Sequence, residues 1–228
     1  MLDKRGNMEP VKKEHDESLS EATNRASSEQ AQLVTNEAAT EEQLRAARIG
    51  GLVPLKGPIQ IVEYDPQWPQ LYEREAERVR AALGDRVLLL EHVGSTSVPG
   101  LAAKPLIDVL LVVANSADEA AYVPALEAAS YVLRIREPDW HEHRMFKGAN
   151  PPTNLHVFSP GCPEIDRLLL FRDWLRRTPY DRQLYERTKK KLAGLNWKYT
   201  QHYADAKSTV VEEILTRAVQ AESNSPGV

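Results

Sequence analysis

Apolar residues at Trp68, Leu71, Tyr72, Ala76, Val79, Ala82 and Leu83 follow helical spacing, which predicts a helix over Trp68–Leu83 stopped by Gly84-Asp85. Val87–Val93 reads as a strand. Leu106–Val113 is apolar at both phases of its alternation and belongs at the centre of a sheet. Ala117–Ala129 reads as a helix, and Tyr131–Arg136, Arg144–Lys147 and Leu155–Ser159 read as short strands. Ahead of them Ile59, Ile61 and Glu63 alternate as one more short strand, followed by a Tyr64-Asp65-Pro66 turn. After Gly161-Cys162-Pro163 the helical period takes over at Glu164–Arg177, Tyr180–Gly194 and Gln201–Ala221. Strands and helices that alternate and then give way to helices argue for an α/β (α+β) fold with one mixed sheet.

Residues 1–55 are of another kind. They carry no Trp, Tyr or Phe and are rich in Glu, Ser, Thr, Asn, Gln and Ala, too little apolar area to offset the entropy of ordering. Residues 1–38 read as disordered. Thr40 as N-cap with Gln43 three positions on predicts a short helix around Glu41–Arg48, ended by Gly50-Gly51 and Pro54. The expected organisation is thus a low-structure tail over 1–55 and one domain over 56–222.

Composition narrows the class. No apolar run approaches the roughly 20 residues that span a bilayer, and the polar start does not read as a secretory signal, so a cytoplasmic protein with no membrane partner is expected. One cysteine, Cys162, rules out an internal disulfide and a thiolate zinc cluster. A formal net charge of -4 argues against nucleic acid as the partner.

Candidate chemistry concentrates in one stretch. The strand ending at Val93 runs into Gly94-Ser95-Thr96-Ser97, a bend of one glycine and three hydroxyls whose backbone N–H groups can approach an anion closely. Lys104 follows, and Asp108 sits inside the apolar strand, where a carboxylate needs a partner or a metal. His92 adjoins the bend with a pKa near neutrality, as an acid/base or phosphate donor. The ordinary alternatives are a plain turn, a water-facing Asp at a strand edge and a hydrogen-bonded core histidine.

The run His92, Gly94-Ser95-Thr96-Ser97-Val98-Pro99-Gly100-Leu101-Ala102-Ala103-Lys104-Pro105, Ile107-Asp108 closely resembles the GrpB (UPF0157) family. So do Tyr64-Asp65-Pro66, Trp68-Pro69, Leu155-His156-Val157-Phe158, Leu170–Arg176, Tyr203 and Lys207, together about three quarters of the chain. The resemblance implies a nucleotidyltransferase-like fold, a short mixed sheet flanked by helices. In that superfamily a Gly-Ser pair ends one strand and two carboxylates on the next hold Mg²⁺ against a nucleoside triphosphate. Gly94, Ser95 and Asp108 match that pattern, with Asp108 as the metal ligand. Leu110 stands where the second carboxylate belongs, and His156 stands on the strand where a third would be. Glu91 or Asp173 completing the metal site, chemistry carried by Lys104, His92, His156 and Arg172, and binding without turnover all remain open. Domains of this family also occur fused to dephospho-CoA kinase, which is compatible with an accessory role.

Further candidates are Arg144 and Lys147 lining an anionic-ligand cleft, His141 and His143 as a metal pair, and Arg172 aimed at phosphate with Arg176 one turn on. Tyr203 and Lys207, also one turn apart, can converge on one cleft, whereas Lys189-Lys190-Lys191 reads as a solvated helix face. Together these give one expectation. Asp108, His92 and His156 are catalytic; Gly94, Ser95, Thr96, Ser97, Lys104, Arg144, Arg172 and Lys207 hold a nucleoside triphosphate or other phosphorylated small molecule. The rival is a degenerate binding module of the same fold.

Overall fold

The computed structural model describes residues 39–224; the segment expected to be disordered, 1–38, lies outside the described residues. Helix α1 (Glu41–Ala47) is closed by a capping box in which Thr40 and Gln43 exchange side-chain and backbone hydrogen bonds. The chain then joins the sheet edge, where Arg48 bridges Ile135 and the Ile49 N–H donates to the Arg134 carbonyl. Helix α2 (Trp68–Leu83) follows with Pro69 in its first turn, where a missing N–H costs nothing. Strands β1 (Leu89–Val93) and β2 (Ile107–Val112), short helix α3 (Val123–Ala128), and strands β3 (Val132–Glu137), β4 (His143–Ala149) and β5 (Pro152–Phe158) complete the first half. Helices α4 (Pro163–Arg177), α5 (Pro179–Ala193), α6 (Thr200–Asp205) and α7 (Ser208–Ser223) form the second.

The five strands form one mixed sheet in the order β1-β2-β5-β4-β3, parallel only between β2 and β5. β2 lies inside the sheet as its two-sided apolarity requires, with Val109, Leu110 and Leu111 fully buried. Val109, Leu111, Leu155, Val157 and Phe146 pack on the back face against Tyr72, Ala76 and Val79 of α2 and Leu126 of α3. Leu110, Val112 and Phe158 meet Ile165, Leu168 and Leu169 of α4 on the front. A third cluster joins Val98 and Leu101 to Leu175, Tyr185, Val210 and Ile214, tying the loop after β1 to the C-terminal helices.

Three expected elements differ. Ile59–Glu63 is not a strand; Val62 makes a single bridge to Ala103. The helix expected from Ala117 begins at Val123, because the Asn115 side chain accepts from the Ala117 N–H and turns the chain, and Pro124 then fixes the first helical turn. The last helix is two, α6 and α7, broken at Ala206-Lys207.

Candidate functional site

The pairing of β1 with β2 sets Val93 opposite Asp108, so the chain leaving β1 passes directly over that carboxylate. Gly94 makes the passage at φ 70° and ψ -172°, and a Cβ placed there would lie 2.5 Å from Asp108 Oδ2. No side chain fits between the bend and the acid. The Ser95–Ser97 turn then curls back through its own hydroxyls: Ser97 Oγ donates to the Gly94 carbonyl at 2.6 Å, and Thr96 Oγ1 donates to the Leu106 carbonyl at 3.1 Å. Arg176 of α4 holds the Ser97 carbonyl from two guanidinium nitrogens, at 3.0 and 3.1 Å. Thr96 and Ser97, expected to bind phosphate, therefore spend their hydroxyls on the turn. Ser95, half-buried, has no side-chain hydrogen bond among the described residues and is the hydroxyl left for a ligand.

Asp108 heads the front face of β2, and parallel pairing with β5 places Asn154 and His156 beside it. Asn154 Nδ2 donates to Asp108 Oδ1 at 2.7 Å, and His156 Nε2 lies 3.8 Å from the same oxygen. Burial opposes the charge, yet His156 in its protonated form and the Asn154 amide outweigh it and hold this carboxyl below its usual range. Lys147 of β4 donates to Asn154 Oδ1, which fixes the amide's orientation. Burial, with repulsion from Lys104, brings the Lys147 ammonium down to about 8 against the pull of Asp108. Lys104 is lowered by burial and by Lys207, with Asp108 again opposing. Lys207, at the α6–α7 break, sets its ammonium 4.7 Å from the centre of the Tyr203 ring and feels the Asp108 charge. Helix α5 pins the loop carrying Lys104: Glu186 accepts from the Ala102 N–H and Lys189 donates to the Ala102 carbonyl at 2.6 Å. Lys189 is thus buried rather than part of a solvated face, and burial brings it down to about 7. Lys147 on the front face, with Lys104 and Lys207 within electrostatic reach of the same carboxylate, gives an excess of positive charge suited to an anion.

Several expected site residues lie elsewhere. His92 belongs to the back face, its ring stacked 4.7 Å from that of Tyr72. Its Nε2 meets Thr96 Oγ1 at 3.0 Å, and since that hydroxyl already donates to Leu106, the imidazole must be the donor. Burial brings it down to about 4, so it is neutral at pH 7 and holds the turn rather than moving protons. Arg144 also faces back, held by Glu119 at 2.5 Å and by the Glu142 and His143 carbonyls. Arg144 and Lys147 are three apart on one strand and therefore cannot share a face. Arg172 is spent on Asp173, Glu91 Oε2 at 2.7 Å and the His92 carbonyl, which rivets β1 to α4. His141 sits in the turn before β4 at φ 55°, away from any ligand set.

The donor set does not fit a resident Mg²⁺. Asp108 Oδ1 already serves Asn154, Leu110 is core, and Glu91 and Asp173 are committed to Arg172. Among the described residues no three His, Cys, Asp or Glu side chains gather where they could hold a metal. The carboxylates present therefore do not by themselves supply a Mg²⁺ site around Asp108. Lys147 shares its face with Asn154 rather than with Arg144, and the sign of Asn154 in the sequence is its place two residues before His156, on the same face of one strand. Among the described residues no helix is long and apolar enough to cross a membrane.

Comparisons with known proteins agree with this architecture. The family model described as "GrpB protein" matches residues 58–217. A UPF0157 protein of Halalkalibacterium halodurans is 59% identical over 78% of this chain and 92% of its own length. A crystal structure of the conserved protein GrpB from Enterococcus faecalis superposes with a TM-score of 0.64 at 30% identity, covering 72% of this chain and 100% of that one. The dephospho-CoA kinase of Mycolicibacterium paratuberculosis is 34% identical over 57% of this chain, a match spanning 38% of the kinase. With a family model spanning the whole sheet, three C-terminal helices and most of the fourth, and a relative alike along nearly its full length, this chain belongs to the GrpB (UPF0157) family.

Proposed function

We propose that the front face around Asp108 binds a phosphorylated small molecule, a nucleoside triphosphate foremost, and transfers its nucleotidyl group to a hydroxyl acceptor. One observation supports the reading: Lys104, Lys147 and Lys207 all lie within electrostatic reach of a single carboxylate, burial weighs on the ammoniums of Lys104 and Lys147, and Lys104 repels both of the others. A polyphosphate relieves that repulsion and stands where the lysines offset its charge. Gly94 lets the backbone approach, Ser95 offers its hydroxyl, and Asp108 with His156 addresses an acceptor proton.

The proton balance of binding tests this directly. With Lys147 near 8, about half of its population is neutral at pH 8, and a polyphosphate draws that population to the charged form. Calorimetric titration of pyrophosphate and ATP in buffers of different ionisation enthalpy should show uptake of about half a proton at pH 8 and less at pH 6.5. Affinity should persist in EDTA, since the lysines and not a metal supply the charge. Absence of binding, or binding without proton uptake, would refute the assignment.

The partial likeness to dephospho-CoA kinases favours a second reading, in which the same face binds a nucleotide for a neighbouring domain without turning it over. Release of pyrophosphate from ATP in the presence of a small alcohol separates the two, since a pure binding module releases none.

A further inference from the structure

On the front face a chain of polar side chains crosses four adjacent strands. Glu137 Oε2 of β3 meets His143 Nδ1 of β4 at 2.7 Å, and His143 Nε2 meets His156 Nδ1 of β5 at 3.1 Å. His156 Nε2 then faces Asp108 Oδ1 of β2 at 3.8 Å. His143 is buried, with its ring stacked on Phe158 at 4.8 Å and met edge-on by Trp140 at 5.3 Å. The two imidazoles lie nearly parallel, 14° apart. Only His156 of the pair is open to the Asp108 site, its side chain 28% exposed against 5% for His143.

We propose that Glu137 and His143 are positioning residues that present His156 to this site as a proton acceptor with its Nε2 unprotonated; the inference rests on the nucleotidyl-transfer reading and names the base for it. The order of donors follows from the ends. A carboxylate only accepts, so Glu137 places the His143 proton on Nδ1. Burial disfavours a second proton on His143 more than Glu137 favours it, and the positive charge of Arg144 acts in the same direction as burial. His143 Nε2 is then a lone pair, and His156 must donate to it from Nδ1. That leaves Nε2 of the neutral His156 ring as the basic atom of the site, beside Asp108, with Asn154 and the ammoniums of Lys104, Lys147 and Lys207 as the other polar groups around that carboxylate.

In the transfer step the acceptor hydroxyl gives its proton to His156 Nε2. Its oxygen forms a bond to the α-phosphorus as the bond from that phosphorus to the bridging oxygen of pyrophosphate breaks. The imidazolium so formed faces Asp108, and the pyrophosphate leaves with its charge offset by Lys104, Lys147 and Lys207. A Glu–His–His line orders the base as an acid–imidazole pair does in other settings, where the second group fixes the tautomer of the first.

The test uses the full chain and nitrogen-detected NMR of its imidazoles. His156 should be the Nδ1–H tautomer in the wild type. In His143→Leu, which removes the acceptor, His156 should lose that preference, and in His143→Gln, whose amide can accept from His156 and donate to Glu137, it should recover it. Pyrophosphate affinity should be the same in all three proteins, because the lysines are untouched. Pyrophosphate release from ATP with glycerol as acceptor should fall at least about tenfold in His143→Leu and return in His143→Gln. An Nδ1–H tautomer retained in His143→Leu would overturn the relay, as would equal turnover in that variant. Should His143→Leu not fold, Glu137→Leu applies the same test through the first link. Failure of the wild type to bind pyrophosphate overturns the anion reading instead, and is told apart because the tautomer measurement needs no ligand.

Discussion

Gly94→Ala probes the tightest glycine position among the described residues. The native backbone there, φ 70° and ψ -172°, lies in a region that non-glycine residues reach only at about 1–3 kcal/mol. The added methyl would sit 2.5 Å from Asp108 Oδ2 and 2.9 Å from Asp108 Cβ, a clash that the paired strands cannot relieve by a side-chain swing. Overpacking of that kind costs about 1–3 kcal/mol. The two effects together predict a loss of about 2–6 kcal/mol, or a fall in Tm of roughly 4–24 °C for a chain of this size. Urea unfolding followed by circular dichroism measures it, with the m-value checking that the native state is still compact. Combination with Asp108→Gly isolates the contact: the clash disappears and the backbone cost remains, so the two changes should couple favourably by about 1–3 kcal/mol. A single-variant loss below about 1 kcal/mol, or strict additivity of the pair, would refute the claim that the bend lies on the carboxylate.

Arg172→Met should cost about 2–4 kcal/mol of stability, since it removes charge-assisted bonds to Glu91, Asp173 and the His92 carbonyl, yet leave pyrophosphate affinity unchanged; weakened binding would return Arg172 to the ligand. Lys104→Gln and Lys207→Gln should each weaken pyrophosphate binding about tenfold, and the wild-type affinity should fall with added salt; titration calorimetry reads both, and an unchanged affinity contradicts the charge argument. His92 predicts an acid limb. Folding holds it near 4 against 6.5 unfolded, so its contribution is intact above pH 6.5 and is lost as pH falls toward 4, by roughly 3 kcal/mol. Urea midpoints between pH 7 and 4 should therefore decline less in His92→Gln, and parallel declines would disprove the assignment.

Much of the fold is legible in the chain because its signals are local. The burial of β2 on both sides shows as an unbroken apolar run, the α1 capping box as Thr40 with Gln43, and α2 as a clean helical stripe. What is not legible depends on partners distant in sequence. Ile59–Glu63 alternates like a strand, but only Val62 meets a partner, Ala103, so a propensity without a ladder gives a bridge. The break at Ala206-Lys207 carries no glycine or proline to announce it.

The site divides along the same line. Asp108 in an apolar strand after a Gly-Ser bend is a signal contained in one short stretch, and the bend does lie on the acid. Polarity near that stretch is not itself evidence of a site, because strand alternation sends neighbours to opposite faces. His92 and Arg144 sit on the back face, holding a turn and an ion pair, while residues an even number of positions from Asp108's partners sit on the front. Parity along β5 links Asn154 to His156, and parity along β4 links Lys147 to His143 rather than to Arg144. Once β5 is known to run parallel beside β2, those two parities place an amide, an ammonium and a pair of imidazoles around one carboxylate. The register, which no single segment encodes, thus brings Lys147, Asn154 and the two histidines to the face of Asp108, where Leu110 stands in place of a second acid.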